Sequence, residues 1–546
     1  MRQAKARYVG GWLAAAVWLA SGAANASGFY FGDNGAKAMM QGGAFTAQAD
    51  DLTAIQHNPA GLAQLGGGSF LADLQLLSHN VSFLRQDQGF DAANPSTLVN
   101  TVDNSKSGLF LLPFLAGSYG FQVAGRTLTV SLGVYGPPSQ GRYTYPAPNY
   151  AKEMSRYVES PRKFAPQRYT LISNDILVLY PSLSVAYEIH KRFLVGVSAQ
   201  LIVSHFFFRQ SLSADPVNPQ TQLGENPEFD ALVDVDVSGN VGFTGVIGAL
   251  AKPLDWLAIG ASFRPPVPVT ASGALRIGLT PELQQLASVQ NGAGESCAPV
   301  DAQGNATPSP CKGSLQLTLP MELRVGVRLV PIERLGINAD FVYQGWNSVD
   351  QFLLTPQDVN LSLGGTSTAV APVAIPKKWV GSFSGRLGAT FDVIKYLSVS
   401  AGFLFETGAS PMEYYAVDFA HPTRVMITGG VTGHLGPIDV MAGIAFSPTV
   451  QSIIGCNGCE VSSEVRRGTT DPTTPGGVVG NGIYNSGGFS ILLGVRGRFP
   501  PKPKPAEEPP AAAPPTPAPA TPAPDATPAP ATDAAPTTPS SGVTTP

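Results

Sequence analysis

Long stretches of alternating residues constrain this chain more than any other feature of its sequence. From Leu315 to Leu329 the odd positions are leucine, methionine or valine, whereas the even positions include glutamine, threonine, glycine, glutamate and two arginines. The same period of two recurs from Val233 to Thr244 and from Leu397 to Glu406. This period is typical of β-strands with one apolar face, and strands of soluble sheets rarely exceed about 10 residues. We therefore expect the apolar faces to contact lipid and the polar faces to line a lumen.

Membrane helices do not account for this chain. A spanning helix needs roughly 20 mostly apolar residues in a row, and the best candidate, Ser107 to Gly125, is interrupted by Pro113 and several glycines. Only 13% of the residues are charged, against about a quarter in typical soluble domains. Because strands in lipid can pair every backbone N–H and C=O only in a closed ring, the predicted fold class is all-β, a transmembrane antiparallel β-barrel.

The connections between the alternating segments support a barrel rather than a soluble sandwich, which would show the same alternation with shorter strands. Short turns such as "VAGR", "KPLD" and "LGPI" alternate with long links such as 137–170, 276–313 and 451–486. Outer-membrane barrels have short periplasmic turns and long extracellular loops. We predict about 14 strands, at 68–80, 107–122, 126–136, 171–188, 194–211, 231–250, 257–275, 314–330, 335–347, 378–393, 397–407, 424–434, 439–450 and 487–499.

The two ends of the chain differ in composition from the barrel, predicted to span 67–499. Residues 1–26 carry a basic start, the apolar stretch "GWLAAAVWLA" and a final Ala24-Asn25-Ala26, which together predict a secretory signal peptide. The last strand ends in Phe499, and it resembles the terminal strands that the barrel-assembly machinery recognises. Residues 500–546 are rich in proline, alanine and threonine. Such a segment buries no core, so we predict a disordered periplasmic tail that is either inert or contacts the cell wall.

The four cysteines all fall in predicted long loops, Cys297 and Cys311 in one, Cys456 and Cys459 in another. Disulfides are the default in an exported protein. A four-cysteine zinc site is the alternative, but only the Cys456–Cys459 pair has the spacing of metal ligands. We therefore expect disulfides and no metal.

The segment between the signal peptide and the first strand, residues 27–66, is rich in small residues and contains "ADDLTAIQHNPAGL". A barrel of this width leaks unless something fills it, and small side chains suit a plug packed against its wall. The segment resembles the N-terminal hatch of the long-chain fatty acid outer-membrane transporters, the FadL family with its aromatic hydrocarbon relatives. The shared features are "SGF" from Ser27, "ADD" from Ala49 and "NPAGL" from Asn58. The stretches "ADFVYQGWNSVDQF" and "LSVSAGFLFETGASPMEYY" are similar to later strands of that family.

This resemblance implies a plugged barrel that carries hydrophobic molecules past the lipopolysaccharide and outer-membrane lipids, with a lateral exit beside a kinked early strand. Long-chain fatty acids are the first expected substrate, with aromatic hydrocarbons or a structural, adhesive barrel as alternatives. The residues that match the family's gating segments lie in the hatch, namely Gly28, Phe29, Asn58, Pro59 and Ala60. The stretch "YGPPSQG" after Val134 ends the third strand abruptly, so we expect the opening there.

An aromatic and basic loop follows that third strand. Aromatic rings beside cations suit capture of an acyl chain with a carboxylate. The same residues would equally form an interfacial girdle that contacts lipopolysaccharide phosphates. The candidate capture residues are Tyr143, Tyr145, Arg156, Tyr157, Arg162, Lys163 and Phe164.

Other functional classes have little support in the sequence. A net charge of −4 gives no basic surface for nucleic acid, and diffusion of an apolar solute takes no cofactor. An enzyme is the competing class, since some outer-membrane barrels hydrolyse lipids. The chain has no G-x-S-x-G motif, and no Ser/His/acid set can be paired from the sequence alone. We therefore expect a transporter and no enzyme.

Overall fold

The computed structural model of the chain describes residues 28, 30–86, 98–139, 141–146, 165–213, 229–239, 242–300, 306–455 and 479–499. The predicted signal peptide and tail lie outside these residues, as do Phe29, Cys456 and Cys459 and, in the loop after the third strand, Arg156, Tyr157, Arg162, Lys163 and Phe164. Within the described part of the chain, none of the helices is long and apolar enough to cross a membrane.

Strands make up most of the described chain. In chain order they are β1 (Gly67–Gln86), β2 (Leu98–Asp103), β3 (Phe110–Val123), β4 (Arg126–Tyr135), β5 (Arg142–Thr144), β6 (Ser173–Leu179), β7 (Ser182–His190), β8 (Phe193–Ser213), β9 (Asp230–Gly239), β10 (Gly242–Leu254), β11 (Leu257–Arg264), β12 (Val267–Leu279), β13 (Ala287–Asn291), β14 (Lys312–Leu319), β15 (Met321–Ile332), β16 (Leu335–Gly345), β17 (Gln351–Gln357), β18 (Val359–Leu363), β19 (Thr366–Ala369), β20 (Val373–Pro376), β21 (Ser382–Ile394), β22 (Leu397–Glu406), β23 (Arg424–Leu435), β24 (Ile438–Ile454) and β25 (Gly482–Phe499).

Fourteen of these strands close an antiparallel ring, as predicted. The first and last strands join it, from Gly68 opposite Phe499 to Arg85 opposite Gly482. A closed ring leaves no unpaired edge in lipid. Around the ring the order is β1, β3, β4, β7, β8, β10, β11, β15, β16, β21, β22, β23, β24 and β25.

The wall continues above the ring on one side as a second tier of strands. β8 spans both tiers, since its residues 193–202 pair with β7 and β10 and its residues 203–213 pair with β6 and β9. The predicted strands 171–188, 231–250, 257–275 and 314–330 are each divided between the tiers. Three of the divisions fall at prolines, Pro181, Pro265–Pro266 and Pro320, because proline supplies no N–H to a ladder. The upper tier runs β5, β6, β8, β9, β12, β14, β17 and β20.

The sequence predicts that the apolar faces point outward to lipid, and this is wrong in the upper tier, where they point inward. Leu315, Leu317 and Leu319 are buried inside the wall, whereas Leu323 and Val325, further along the same alternation, are exposed on its outside. The direction changes at Pro320. The valines of β9, predicted to contact lipid, are likewise buried. Alternation shows only that one face of a strand is apolar. In the lower tier this face is the outer one, which contacts lipid, and in the upper tier it is the inner one, which lines an enclosed space.

The first described segment fills the ring. It contains the short helices α1 (Ala36–Met39) and α2 (Ala54–His57) and a 3₁₀-helix, Pro59–Gln64. Every described residue from Tyr30 to Ala63 is buried except Lys37 and Asp50, which pair with each other at 2.7 Å. We call residues 28–66 the hatch. It bonds inward-facing groups of strands all around the ring, among them β1, β4, β10, β11, β15, β16, β21 and β23.

The long link between β12 and β14 forms part of a small cap. The cap consists of helix α3 (Pro281–Gln284) and a three-stranded sheet of β13, β18 and β19. The predicted disulfide joins Cys297 to Cys311 inside this cap, with the Cα atoms 5.2 Å apart.

We expect the Cys297→Ser/Cys311→Ser variant to loosen this cap and leave the ring intact. The bridge closes a loop with a sequence separation of 14, which is worth about 3 kcal/mol in the chain-entropy model. Limited proteolysis should cut the variant within residues 280–311 faster than the wild type, while the folded, unboiled barrel still migrates faster on a gel. Equal cleavage rates would show that the bridge does not stabilise the cap.

Candidate functional site

The hatch backbone lies directly against the barrel wall at a set of wall glycines. A Cβ atom at Gly196 would lie 2.4 Å from the carbonyl carbon of Pro59, and one at Gly402 would lie 2.1 Å from the backbone nitrogen of Gly42. No side chain fits at such distances, so the glycines form the seat of the hatch. Wall glycines at which a Cβ would come closer than 3.0 Å to a hatch atom include Gly120, Gly133, Gly196, Gly248, Gly260, Gly388, Gly402, Gly430 and Gly443.

Buried ion pairs join the hatch to the wall on the side of β15 and β21. Asp33 accepts a hydrogen bond from Arg324 at 2.5 Å and another from Arg386. Its second carboxylate oxygen accepts one from Gln56 at 2.9 Å. All of these side chains are nearly inaccessible to solvent. Burial by itself would raise the pKa of Asp33, but Arg324, His57 and Arg386 outweigh it and hold that pKa well below its ordinary value.

The Asn-Pro-Ala motif fixes the hatch against β8 and β10. The Asn58 amide donates to the carbonyl oxygens of Thr46 at 2.9 Å and Ala249 at 3.0 Å, and its own oxygen accepts from the N–H of Ala60 at 3.2 Å. Asn58 thus caps the 3₁₀-helix and ties it to β10. Pro59 and Ala60 lie against Gly196 of β8, so the motif holds the hatch against two neighbouring strands.

The start of the hatch closes the break in the third strand. β4 ends at Tyr135, and residues 136–139 bend inward and are buried. The carbonyl oxygen of Pro138 accepts from the N–H of Phe31 at 2.5 Å, and that of Gly136 accepts from the Asn34 side chain at 2.6 Å. The hatch therefore holds residues 136–139, the wall segment where the sequence predicts the opening.

Gly28 lies where the chain enters the hatch. A Cβ at this position would lie 2.5 Å from the ring of Trp346. That ring is fully buried and stands edge-on to Tyr30 at 4.9 Å. The predicted gating residues Gly28 and Asn58 thus belong to two separate contacts of the hatch with the wall.

A buried network connects the start of the hatch to the extracellular segments. Arg424 donates to the carbonyl oxygen of Tyr30 at 2.5 Å and to Glu406 at 2.9 Å, and it lies 2.9 Å from Nδ1 of His421. The rings of His421 and His79 are stacked 4.4 Å apart, and the Tyr143 hydroxyl is 2.6 Å from Nδ1 of His79. Burial, reinforced by His79 and Arg424, holds the pKa of His421 well below its ordinary value.

Two of the predicted capture residues belong to this interior rather than to the rim. Tyr143 is 1% exposed and contacts His79, and Tyr145 is 2% exposed and donates to the carbonyl oxygen of Val417 at 3.0 Å. Both rings lie in one buried cluster with Tyr415 and Tyr484. Their hydroxyls are held by protein partners.

Above the hatch, the inward leucines and valines of the upper tier enclose an apolar groove. At one end Lys377 pairs with Asp418 at 2.5 Å and lies 5.3 Å from the rings of both Phe352 and Phe419. The ammonium charge is thus balanced within the groove. The apolar lining consists chiefly of Tyr169, Leu171, Phe208, Val235, Leu315, Phe352, Leu354 and Ile375.

Sequence reasoning missed most of the residues that hold this site. The charged residues concerned are surrounded in the sequence by apolar or small residues. They hold the site because they point into the barrel, and these residues are Asp33, Arg324, Arg386 and Arg424. Burying such charges costs free energy unless they are paired. Charged residues at lumen-facing positions of the predicted strands were therefore the sequence feature that could have indicated these contacts. In the described part of the chain, no group of three or more His, Cys, Asp and Glu residues could hold a metal ion.

Comparisons with known proteins agree with this architecture. The family model for "Outer membrane protein transport protein (OMPP1/FadL/TodX)" matches residues 17–446. The fold is similar to that of a Pseudomonas aeruginosa FadL homologue, at a TM-score of 0.60 and 15% identity over 87% of this chain and 100% of that one. It is also similar to the Pseudomonas putida toluene transporter TodX, at 0.56 and 14% over 87% and 100%.

The Ralstonia pickettii toluene transporter TbuX matches at a TM-score of 0.55 and 15% identity, over 86% of this chain and 98% of that one. A putative outer membrane protein of Neisseria meningitidis serogroup B is 32% identical over 120 residues. That alignment covers 22% of this chain and 24% of the relative, so the chain matches about a quarter of the relative's length.

Proposed function

Because this chain belongs to the outer-membrane transport protein family that includes OMPP1, FadL and TodX, we propose that it takes up hydrophobic molecules through the apolar groove and releases them sideways at the break after β4. Long-chain fatty acids are the first candidate substrates and aromatic hydrocarbons the second. Transport by this route is diffusion, so it takes no catalytic step and no cofactor. The hatch blocks the straight aqueous path that a porin would use.

The observation that carries this proposal is the contact between the hatch and residues 136–139. A wall segment that bends inward interrupts the strand ladder, and here the Phe31 N–H and the Asn34 amide bond to the interrupted segment. A small movement of the hatch start would uncover it without breaking any strand pair. Arg424, which bonds Tyr30, connects this start to His421 and to the extracellular segments.

The groove above the hatch supports capture of the apolar part of a ligand. Its lining is mainly aliphatic and aromatic, and residues of the upper tier and of the segment around Asp418 contribute to it. The same groove accommodates an acyl chain or an aromatic ring by shape alone. For an anionic headgroup, Lys377 is the nearest described cation, and the ligand carboxylate would have to compete with Asp418.

The other expected partners are those that the outer surface, the last strand and the tail would contact. Outer-membrane lipids and lipopolysaccharide would cover the exposed apolar band, the terminal strand β25 would be read by the assembly machinery, and the proline-rich tail would extend into the periplasm. Deletion of residues 500–546 is expected to leave uptake unchanged.

We expect the Pro137→Thr/Pro138→Val variant to take up less substrate, by several-fold. Both new residues favour strands and restore backbone donors, so β4 can extend along β6 and close the break. The measurement is uptake of labelled oleate and labelled toluene by cells that lack their own transporter and express the variant. The wild type in the same assay shows which of the two substrates is carried.

Pro331→Thr is the matched control, because Pro331 is an exposed proline at a short turn and should not affect uptake. Uptake by the double variant at the wild-type rate, from a barrel that still shows heat-modifiable migration, would contradict lateral release after β4. No uptake of either substrate by the folded wild type would favour a structural barrel.

A further inference from the structure

Three polar side chains at the short-turn end of the ring are arranged as a nucleophile, a base and an acid. Ser398 lies on β22, His434 on β23 and Asp439 on β24, so three consecutive strands contribute one residue each. Ser398 Oγ is 2.7 Å from His434 Nε2, and His434 Nδ1 is 2.7 Å from Asp439 Oδ1. Both distances are those of good hydrogen bonds, and each imidazole nitrogen has the partner that a serine hydrolase needs.

Neighbouring groups hold Asp439 as the acid and His434 as the base. Asp439 is 2% exposed, and its other oxygen, Oδ2, accepts from Arg496 Nε at 2.9 Å. That bond favours the carboxylate form and leaves Oδ1 for the imidazole. His434 and Asp439 are direct cross-strand partners, so the backbone ladder sets their separation.

Ser398 and His434 both line an open cavity at the short-turn end of the barrel, and the His434 side chain is 29% exposed. Ser398 is 4% exposed, so the base is more open to solvent than the serine. Six basic side chains and three acidic ones line the same cavity, so its charge favours an anionic ligand. They are Lys37, Arg328, Arg334, Lys395, Arg496 and Arg498, with Asp50, Glu333 and Asp392.

We propose that this cavity is a hydrolytic site for carboxylic esters that carry a negative charge. Ser398 Oγ attacks the ester carbonyl carbon while its proton passes to His434 Nε2, and the guanidinium groups that line the cavity offset the oxyanion charge. The C–O bond to the alcohol then breaks, and the alcohol leaves with the proton from Nε2. Water attacks the acyl-serine in the same way, giving the carboxylic acid and restoring the Ser398 hydroxyl.

A fourth residue sets how readily the serine reacts. The Ser398 hydroxyl also lies 2.6 Å from Asp392 Oδ1, to which it can donate. One proton cannot serve Asp392 and His434 at once, so the attacking state is the one in which the hydroxyl donates to the imidazole. An asparagine at position 392 could instead donate to Oγ and leave the hydroxyl proton to His434. Asp392→Asn is therefore expected to raise reactivity.

The site stands apart from the transport route, although the hatch residues Lys37 and Asp50 line its cavity. It lies at the short-turn end of the ring, away from the groove enclosed by the upper tier, and it uses none of the residues that seat the hatch start. This site is not recognisable in the sequence, because the three residues are spread over two hairpins and belong to no known motif. Only the register of β22, β23 and β24 brings them together.

The test uses the purified full-length protein, folded in detergent, with a fluorophosphonate probe and two chromogenic esters, mono-4-nitrophenyl glutarate and 4-nitrophenyl butyrate. We expect the probe to label the wild type and not Ser398→Ala. Hydrolysis of the glutarate ester should fall by about 100-fold or more in Ser398→Ala and in His434→Ala. The glutarate ester should react faster than the butyrate, with a difference that shrinks as salt is added.

Ser184→Ala is the matched control, since Ser184 is an inward serine of the ring on β7 that bonds Ser198 at 2.9 Å instead of a histidine and does not line this cavity. It should be labelled and should hydrolyse like the wild type. Absence of labelling in the folded wild type, or equal hydrolysis by wild type and Ser398→Ala, would overturn the proposal. Uptake of oleate and toluene by Ser398→Ala should match the wild type, so a failure of the transport proposal would be seen separately.

Discussion

Asp33→Ala is expected to unseat the hatch and turn the plugged barrel into an open channel. The substitution leaves Arg324 and Arg386 buried without the carboxylate that they share. Removing one partner of a buried ion pair typically costs about 3–5 kcal/mol. Arg324 keeps Glu322 at 2.8 Å, whereas Arg386 retains the uncharged Ser384 hydroxyl and Gly43 carbonyl oxygen. The cost therefore falls on the contact between hatch and wall and not on the strand ladder.

Single-channel conductance in planar bilayers measures this effect, and entry of a large polar antibiotic into expressing cells reports the same opening in vivo. We expect both to rise well above the wild type while the barrel keeps its heat-modifiable migration. Asp50→Ala is the matched control, because the Lys37–Asp50 pair is partly exposed and exposed pairs contribute only about 0–1 kcal/mol. Wild-type conductance in Asp33→Ala would show that the ion pairs do not hold the hatch.

Gly402→Ala should open the barrel through packing alone. A Cβ at this position would lie 2.1 Å from the nitrogen of Gly42 and 2.2 Å from the carbonyl carbon of Gln41. Backbone atoms cannot turn aside as a flexible side chain would, so the hatch has to move away from β22. Overpacking of this kind usually costs about 1–3 kcal/mol. The displacement would also strain the bond from the Gly42 N–H to Thr428 at 2.9 Å.

Gly385→Ala separates this effect from a general weakening of the strands. Gly385 lies on the adjacent strand β21, and a Cβ there has open space around it. We expect raised conductance and faster proteolysis of the hatch in Gly402→Ala and wild-type behaviour in Gly385→Ala. Equal behaviour of the two variants would exclude the glycine seat as the cause. If both lesions release the same contact, Gly402→Ala combined with Asp33→Ala should conduct little more than Asp33→Ala alone.

The sequence predicted the hatch, which Asp33→Ala alters, better than the wall glycines, one of which Gly402→Ala alters. The hatch segment was recognisable from "NPAGL" and its neighbours, because small residues and a fixed turn are local properties. The glycines that receive it were visible only as a high glycine content, 60 in the chain. Their role depends on which wall positions face the plug, and that is a property of strand register and barrel closure.

The sequence by itself determined the strands. A period of two is set by the backbone, since successive side chains of a strand point to opposite faces. The turns located the fourteen strands of the ring, but four of the predicted strands are divided between the two tiers. For this reason the ring of fourteen strands and the break after β4 were both predictable.

Only the tertiary structure decided which way each face points. In β14 the leucines 315, 317 and 319 face an enclosed groove, whereas in β15 Leu323 and Val325 face lipid. Apolar side chains leave water in either direction with a similar gain in free energy, so alternation alone cannot distinguish an outer lipid face from an inner chamber. The distinction depends on where the membrane ends relative to the wall. That height is a property of the whole barrel, and the meeting of Ser398, His434 and Asp439 depends on the register of three neighbouring strands.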